Sequence, residues 1–446
     1  MKKFDVIVIG TGSGNSIAQR CSKAGKKTAI IDSLPYGGTC ALRGCDPKKV
    51  LVGLAHVLSL NKQLQGKGLS TPAIASWNDL MEFKKTFTEP VAARREKTLK
   101  SADVTTYHGR AHFISENTIQ INEDILEAKK FVIANGAKPR KLSIPGEELL
   151  IDSTAFLELP ELPDEILFVG GGYIAFEFAH IVSSFGVRAT IVHRGERPLE
   201  NFDSSLVKLL MKATEVAGIK IILKTNVTEI RKENGQVLIQ AEHDGKEKIF
   251  STLLAVHSAG RTADIDDLSL EKVNVSVGKK GVEVNEYMQS VSNPDIYACG
   301  DANNKGLPLT PVGGKEAIVL TSNLLKGNHL KIDYGHIPSN VFSIPPLASV
   351  GLTEDAAKIQ KLNYKVNSEE TTSWFASKRL NEPVSAFKVL IDNETDLILG
   401  AHLLGNNAEE TINIFSVAMN AGLKASQLKK TIFSYPTSAS DIVYML

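Results

Sequence analysis

The 446-residue sequence lacks several features that would mark it as an export, membrane or disulfide-scaffold protein. It contains four cysteines, too few for the disulfide framework of a small secreted protein. No apolar run approaches the roughly 18–20 residues of a membrane span, and the apolar stretch at residues 6–9 is too short for the core of an export signal. We therefore expect a cytoplasmic protein with no membrane partner.

A surplus of either charge is also missing. The chain carries 51 Lys and Arg against 50 Asp and Glu. Proteins that bind nucleic acid or anionic membranes usually concentrate positive charge, so we expect neither partner. The length predicts two to four domains.

Two distant segments share one pattern. Residues 4–32 and residues 165–194 each give a β-branched run, a Gly-rich turn, a helix with small and apolar residues, and a second β-branched run. This pattern is typical of a βαβ unit in a buried parallel sheet. The sequence therefore predicts an α/β protein with two Rossmann-like dinucleotide-binding domains.

Other stretches predict further elements. Residues 39–66 have helical spacing, residues 79–99 form a charged amphipathic stretch broken at Pro90, and residues 227–249 alternate as in an antiparallel meander. After residue 331, strand-like runs precede a helix over 408–421. We place a third, α+β domain there.

The first turn has the dinucleotide fingerprint in its proper context. Gly10 and Gly12 follow a strand, and Asp32 ends the next strand. Glycines let backbone N–H groups approach a pyrophosphate, and the acid accepts hydrogen bonds from a ribose. The third glycine position holds Asn15 beside Gly14, which predicts looser packing of helix on strand.

The second turn, with Gly170, Gly172 and Ala175, favours a different dinucleotide. Its second strand ends without a carboxylate, whereas Arg194 and Arg197 offer cations to a 2′-phosphate. This favours NADPH over NADH, provided that Glu196 and Glu200 point outward. The alternative is that the two arginines belong to a solvated loop and bind no dinucleotide.

Cys40 and Cys45 are close together in a cysteine-poor chain. A disulfide needs Cα atoms within about 7 Å, and residues five apart on a regular helix are farther apart. The pair can close only if Cys40 precedes the first regular turn or the turn is distorted, which Gly44 permits. We interpret the pair as redox-active, the alternative being two buried free cysteines. Cys21 and Cys299 are interpreted as core residues, and no metal site is predicted.

These features resemble the pyridine nucleotide–disulfide oxidoreductases, and most closely the glutathione reductase branch. The matching motifs are GGTCALRGCDPKK (37–49), ANGAKP (134–139) with IPG (144–146), DIYACGDA (295–302), LTPV (309–312) and PPLASVGLTEDAA (345–357). The resemblance covers the whole chain.

The resemblance implies a homodimer that binds FAD and NADPH. It implies a flavin domain over 1–150 and 266–331, an NADPH domain over 151–265 and a dimerisation domain over 332–446. Cys45 would be the sulfur nearer the flavin, and Cys40 would be the exposed thiol that attacks the substrate. Lys48 would pair with Glu177 beside the flavin ring. Asp301 would bind the ribitol chain.

The two turns and the resemblance together assign the cofactor-binding residues. These are Gly10, Gly12, Ser13, Gly14, Asp32, Gly38, Thr39, Lys49, Ala111, Gly170, Gly172, Ile174, Ala175, Arg194, Arg197, Gly260, Arg261, Asp301 and Thr310.

The sequence departs from the family near its C-terminus. Tyr435 stands where the family has a catalytic histidine supplied to the partner subunit, and Ser440 stands where a glutamate orients that histidine. A phenol titrates near 10 and cannot act as a base at pH 7, although it can donate a proton. This predicts slow turnover of ordinary disulfides or a substrate that needs little proton assistance.

The positions that contact glutathione in the animal enzymes are only partly matched in this sequence. Ser13 and Arg20 match positions that contact substrate in the animal enzymes, whereas Arg95 replaces a Tyr and Ile318 an Arg. Asp46 is a further departure, because a carboxylate beside Cys45 would raise a thiol pKa.

Three hypotheses follow. The first is an NADPH-dependent flavoprotein reductase of a small disulfide. The second is reduction of another electrophile (a soft metal ion, a quinone or a reactive halogen species) by the same centre. A tyrosine at this C-terminal position is similar to one in mercuric reductase. The chain lacks that enzyme's C-terminal cysteine pair, which argues against mercury as the substrate. The third is a flavin-bound scaffold without turnover.

Overall fold

The computed structural model describes all 446 residues and divides into two compact units. The first comprises Met1–Lys48, Glu82–Arg140 and Arg261–Tyr334, and the second Lys49–Met81, Lys141–Gly260 and Gly335–Leu446. The four domain ranges derived from the sequence remain predictions.

The first unit contains a seven-stranded sheet centred on the strand Lys2–Ile9. This strand pairs in parallel with Thr28–Asp32 and Asp124–Ile133, and its residues Ile7 and Val8 are fully buried, as expected for a parallel strand covered on both faces. The strand order is Thr105–His108, Thr28–Asp32, Lys2–Ile9, Asp124–Ile133, Thr118–Ile121 and Ala111–Ser115, with Ile296–Ala298 also pairing with Asp124–Ile133. Two short antiparallel pairs are Ala137–Pro139 with Arg261–Ala263 and Val277–Gly278 with Gly281–Val282.

The second unit contains the second predicted nucleotide-binding sheet. Its four parallel strands lie in the order Lys220–Ile222, Arg188–Val192, Glu165–Val169 and Leu254–His257. The predicted meander is present as Thr225–Glu233, Gln236–His243 and Lys246–Thr252. A five-stranded antiparallel sheet follows in the order Ser339–Val341, Leu347–Gly351, Ile398–Leu404, Ala386–Asp392 and Tyr364–Glu370. The predicted fold class, two Rossmann-like domains with a C-terminal α+β domain, is confirmed.

Helices connect the strands as predicted in most places. The α-helices are Gly14–Lys23, Gly38–Arg43, Cys45–Gln63, Trp77–Lys100, Ser153–Phe156, Tyr173–Ser183, Ser204–Val216, Thr310–Lys326, Glu354–Ile359, Phe375–Lys378, Ala408–Asn420, Ala425–Lys429 and Ile442–Met445. Short 3₁₀ turns occupy Glu147–Leu149, Asp266–Leu268, Leu270–Val273, Gly300–Ala302 and Ser438–Asp441. None of the helices combines the length and the apolar character needed to cross a lipid bilayer.

The predicted break at Pro90 is wrong. The helix Trp77–Lys100 continues through this proline, although a proline removes one backbone hydrogen bond. Val91 and Leu99, which follow the proline, are buried. Burial of apolar side chains usually contributes more to a helix in a protein than local propensity does, so packing keeps the helix intact.

A buried ion pair lies in the second unit. The Nζ of Lys388 is 3.1 Å from the Asp203 carboxylate and 2.8 Å from Glu354 Oε2. The side chains of Lys388 and Asp203 are 7% and 0% exposed. Asp203 also caps the helix Ser204–Val216, because its Oδ1 accepts hydrogen bonds from the N–H groups of Ser205 and Leu206.

Candidate active site

The first Gly-rich turn forms a backbone cradle in the first unit. Gly10 has φ +105°, and a β-carbon there would lie 2.2 Å from the Ala134 carbonyl oxygen, so only glycine fits. Asp32 Oδ2 accepts hydrogen bonds from the Thr11 N–H at 2.9 Å and from the Thr11 hydroxyl at 2.6 Å. Asp32 therefore fixes the turn, and its binding of a ribose remains a prediction.

Looser packing of the following helix was predicted from Asn15, and the structure corrects this. A β-carbon on Gly14 would lie 2.7 Å from Val8 Cγ1 and 3.3 Å from Ala134 Cβ. Gly14 therefore supplies the close approach of helix to strand that the fingerprint assigns to its third glycine.

The two cysteines flank a break between two helices. Cys40 lies in the helix Gly38–Arg43 and Cys45 begins the helix Cys45–Gln63, with Gly44 between them at φ −148° and ψ −113°. A β-carbon on Gly44 would lie 2.9 Å from the Thr39 carbonyl oxygen. This is the helical distortion that pairing of the two sulfurs requires.

The two thiols are chemically unequal and differ in exposure. Cys45 is exposed and Cys40 is half-buried, the reverse of the prediction that Cys40 is the exposed sulfur. Both are free in the structure, and a hydrogen bond from Cys40 lowers the pKa of Cys45 to about 6, with the positive charge of Lys48 acting in the same direction. The same hydrogen bond, together with burial, raises the pKa of Cys40. Thr310 Oγ1 lies 3.5 Å from the Cys45 sulfur. The arrangement holds the negative charge on Cys45 and the proton on Cys40.

Asp46 opposes this arrangement, as the sequence predicted. Its Oδ1 lies 4.0 Å from the Cys40 sulfur, and its charge raises the pKa of both thiols. We expect iodoacetamide to alkylate Cys45 of the reduced protein with a midpoint at about pH 6, since only the thiolate reacts. The Asp46→Asn variant should lower this midpoint by up to about one pH unit. Peptide mass spectrometry across a pH series measures both values, and a midpoint that rises in the variant would contradict the assignment.

A cleft of about 420 Å³ opens beside the first turn. Its lining includes three cationic side chains, Arg20, Lys23 and Arg95, none of which forms an ion pair. Gly12 and Gly37 also line it. Backbone N–H groups at a helix start and nearby cations fit an anionic group such as the pyrophosphate of FAD.

A second part of the predicted flavin site is the turn Gly300–Ala302. Burial raises the pKa of Asp301, and the Arg261 guanidinium opposes this shift. The buried Glu316 fixes the turn, because its Oε2 accepts hydrogen bonds from the Gly300 N–H at 2.6 Å and from Asn303 Nδ2 at 2.7 Å. A carboxylate presented on a fixed turn fits the hydroxyl groups of a ribitol chain.

The second Gly-rich turn repeats this construction in the second unit. Gly170 has φ +113°, and a β-carbon there would lie 2.5 Å from the backbone of Ala259. The exposed Arg194 forms no ion pair. Arg197 donates from Nη1 to the Phe202 carbonyl at 2.7 Å and from Nη2 to the Glu200 carbonyl at 3.0 Å, so it shapes the loop.

The two glutamates near this turn are exposed, as the preference for NADPH requires. Glu196 is 84% exposed and pairs with Lys224 Nζ at 3.1 Å, and Glu200 is also exposed. A loop with the cation of Arg194 and with both glutamates exposed to solvent fits the 2′-phosphate of NADPH.

Several other predicted residues are placed within one unit or the other. Glu177 is 2% exposed, and its Oε1 accepts a hydrogen bond from the Phe342 N–H at 2.9 Å. Lys49 Nζ lies 3.5 Å from Glu409 Oε1 and 3.8 Å from the centroid of the Phe342 ring. The side chain of Lys49 is therefore engaged within the second unit.

The remaining predicted contacts divide between the two Gly-rich turns and the elements near them. Ser13, Gly38, Thr39 and Ala111 lie in the first unit, Ile174, Ala175 and Gly260 lie in the second, and Arg261 begins the last range of the first unit.

The C-terminal tyrosine has no partner within its own chain. Tyr435 is 77% exposed and makes no hydrogen bond. Ser440 does not reach it, since its hydroxyl donates to the Thr437 carbonyl at 2.6 Å. The glutamate–histidine pair of the family is thus replaced by two residues that do not act together.

Two site residues were missed in the sequence, His193 and Glu316. His193 directly follows the second strand of the second βαβ unit, Arg188–Val192, where the sequence shows only that a carboxylate is absent. Glu316 is the only acidic residue of the helix Thr310–Lys326 and lies on its buried face, which is the signal that could have identified it.

Comparison with known proteins agrees with the geometry. The pyridine nucleotide-disulphide oxidoreductase family matches residues 4–317, and the dimerisation domain of that family matches residues 337–446. Glutathione reductase from Pisum sativum is 33% identical over 99% of this chain and 82% of its own length. The enzyme from Burkholderia cepacia is 31% identical over 99% and 98%.

A solved structure covers the same extent of the chain. The HOCl-induced flavoprotein disulfide reductase RclA from Escherichia coli superposes with a TM-score of 0.89 at 26% identity, over 100% of this chain and 99% of RclA. The cofactors of the glutathione reductases are FAD and NADPH. The chain belongs to the pyridine nucleotide-disulphide oxidoreductase family, as a flavin-dependent disulfide oxidoreductase with a dimerisation domain.

Proposed function

We propose that the chain is an NADPH-dependent reductase that uses Cys40 and Cys45 to reduce a small disulfide. The observation that carries this proposal is the unequal thiol pair at the break at Gly44. A thiolate stabilised at Cys45 and a thiol at Cys40 are what a two-step exchange needs. Bound FAD supplies the chemistry that passes two electrons from NADPH to the sulfur pair.

The first step on substrate forms a mixed disulfide. With the pair reduced, Cys40 loses its proton and its sulfur attacks one sulfur of the substrate, so that the substrate disulfide breaks and one thiolate leaves. The Cys45 thiolate then attacks the Cys40 sulfur, releases the second thiolate and closes the protein disulfide. The sum is NADPH, a proton and one disulfide giving NADP⁺ and two thiols.

The side chains near the pair support these roles. Lys48 and Thr310 stabilise negative charge on Cys45, whereas Asp46 disfavours charge on either sulfur. The Cys45 thiolate, to which Cys40 is hydrogen-bonded, takes the Cys40 proton and passes it to the first thiolate that leaves. Cys45 is then again a thiolate for the second attack. The pairing of Lys48 with Glu177 beside the flavin ring, which the resemblance implied, remains a prediction.

We further propose a cytoplasmic homodimer. The dimerisation domain of the family is present, and Tyr435, which stands at the position that serves the partner's site in relatives, is exposed on the single chain. The low cysteine count supports a reducing compartment.

A second candidate is reduction of another electrophile, such as a reactive halogen species, by the same thiols. Tyr435 favours it, because a small oxidant with a good leaving group needs little help from a base. The similarity to RclA, which is described as HOCl-induced, also favours it. The Cys40 sulfur would attack the halogen and expel its leaving group. The Cys45 thiolate would then attack the Cys40 sulfur, expel halide and close the protein disulfide, so that each turnover uses two electrons.

Anaerobic titration with NADPH tests the proposal. A long-wavelength band from the Cys45 thiolate against oxidised flavin is expected as the pair becomes reduced. NADPH consumption is then measured with oxidised thiols, quinones, metal ions and halogen oxidants. A protein that NADPH does not reduce would be a scaffold, and turnover only with non-disulfide oxidants would favour the second candidate.

Restoring the missing histidine should accelerate disulfide turnover. Imidazole titrates near pH 6.5, and general acid–base assistance typically contributes about 10²–10⁴-fold. We expect Tyr435→His to raise kcat with disulfides by about tenfold, and the double change with Ser440→Glu to raise it further, because the acid would orient the ring. The control is Tyr444→His, at another exposed C-terminal tyrosine. Equal rates in all variants would show that proton transfer is not limiting.

A further inference from the structure

The imidazole ring of His193 lies between the second Gly-rich turn and the loop that follows it. A β-carbon on Gly171 would lie 2.7 Å from the His193 Cγ, and one on Gly195 would lie 2.8 Å from its Nε2. A side chain at either glycine would therefore collide with the ring. The ring is half-buried at the end of the strand Arg188–Val192.

Both ring nitrogens are used. Nδ1 accepts a hydrogen bond from the Gly171 N–H at 3.1 Å, and Nε2 lies 3.1 Å from the Arg197 carbonyl oxygen. An N–H donor and a carbonyl acceptor specify one tautomer, with the proton on Nε2. The ring is therefore neutral while it joins the turn to the loop that carries Arg194 and Arg197.

The first Gly-rich turn has the same contact with different chemistry. There Asp32 accepts the N–H of Thr11, the residue between Gly10 and Gly12, just as His193 accepts the N–H of Gly171, between Gly170 and Gly172. Asp32 brings a negative charge to its turn, whereas His193 supplies the same acceptor without one. The charged groups around His193 are Arg194 and Glu200.

We infer that His193 is a specificity-determining residue for NADPH, one that supports the second turn as a neutral acceptor where a carboxylate would repel a 2′-phosphate. This inference rests on the proposed use of NADPH. A carboxylate at the same position would keep the hydrogen bond to Gly171, accept a bond from a ribose 2′-hydroxyl and oppose the phosphate near Arg194. The residue acts on binding of the dinucleotide and takes no part in the transfer of electrons.

Calorimetric binding of NADP⁺, NAD⁺, 2′,5′-ADP and 5′-AMP to the oxidised holoenzyme tests the inference. We expect the wild type to prefer NADP⁺, and His193→Asp to weaken NADP⁺ and 2′,5′-ADP by about tenfold or more while NAD⁺ and 5′-AMP bind equally or more tightly. His193→Asn, which keeps a neutral acceptor, should weaken NADP⁺ and NAD⁺ by similar factors and keep their ratio. FAD content and thermal unfolding of each variant report on folding.

The outcomes separate the inference from the proposed function. An unchanged ratio of NADP⁺ to NAD⁺ affinity in His193→Asp, or a shift of equal size in His193→Asn, would overturn the inference and leave the reductase intact. A wild type that prefers NAD⁺ would overturn the proposed use of NADPH, and the inference with it, but not the disulfide chemistry. A wild type that binds neither dinucleotide would overturn the reductase itself.

Discussion

The Cys40→Ser variant is expected to lose at least about 10³-fold of its turnover with disulfides, because removal of the attacking nucleophile removes the covalent route. A serine hydroxyl cannot form a mixed disulfide, whereas electron transfer from NADPH to the flavin does not need Cys40. Reduction of quinones directly from the flavin should therefore persist. Consumption of NADPH with each oxidant measures both rates.

The companion variant identifies which sulfur attacks. Cys45→Ser should accumulate a mixed disulfide between Cys40 and the substrate, visible as added mass on the intact protein, because the resolving thiolate is missing. The control is Cys21→Ala, since Cys21 is fully buried and burial raises its pKa to about 12. A Cys40→Ser protein that turns over disulfides normally would exclude the proposed mechanism.

The largest expected effect on stability is at Lys388. Replacing it by methionine leaves the Asp203 carboxylate, which is 0% exposed, without its cation, and breaking a buried ion pair typically costs about 3–5 kcal/mol. We expect a loss of this size in the free energy of unfolding, measured by denaturant titration of the holoenzyme.

Lys358 provides a matched control for this variant. It pairs with the same Glu354 at 2.7 Å but is 61% exposed, and exposed pairs contribute about 0–1 kcal/mol. Lys358→Met should therefore leave the free energy of unfolding nearly unchanged. Equal losses of unfolding free energy in both variants would show that burial does not determine how much the Lys388 ion pair contributes to stability.

Local repetition made much of the fold predictable from the sequence. A strand, a turn at Gly10 or Gly170 and a helix with small residues are consecutive in the chain, so their geometry depends on neighbouring residues. The break at Gly44 could be anticipated for a similar reason, since two cysteines five residues apart require a distortion. The C-terminal sheet could be predicted because its strand-like runs are separated from one another along the sequence.

Features that depend on residues far apart in the sequence were harder to predict from it. The helix through Pro90 depends on burial of Val91 and Leu99, which proline propensity does not report. The role of Glu316 depends on Gly300 and Asn303, and Gly14 replaces a missing glycine because of Val8 and Ala134. Each of these relations joins residues that are brought together only by the fold.

The matching contacts of Asp32 and His193 bear on how this family could have diversified. After duplication of an ancestral nucleotide-binding unit, each copy would have inherited one backbone N–H in need of an acceptor. A single nucleotide change converts an aspartate codon into a histidine codon. One substitution can thus exchange a charged acceptor for a neutral one without leaving the backbone N–H of the turn unpaired.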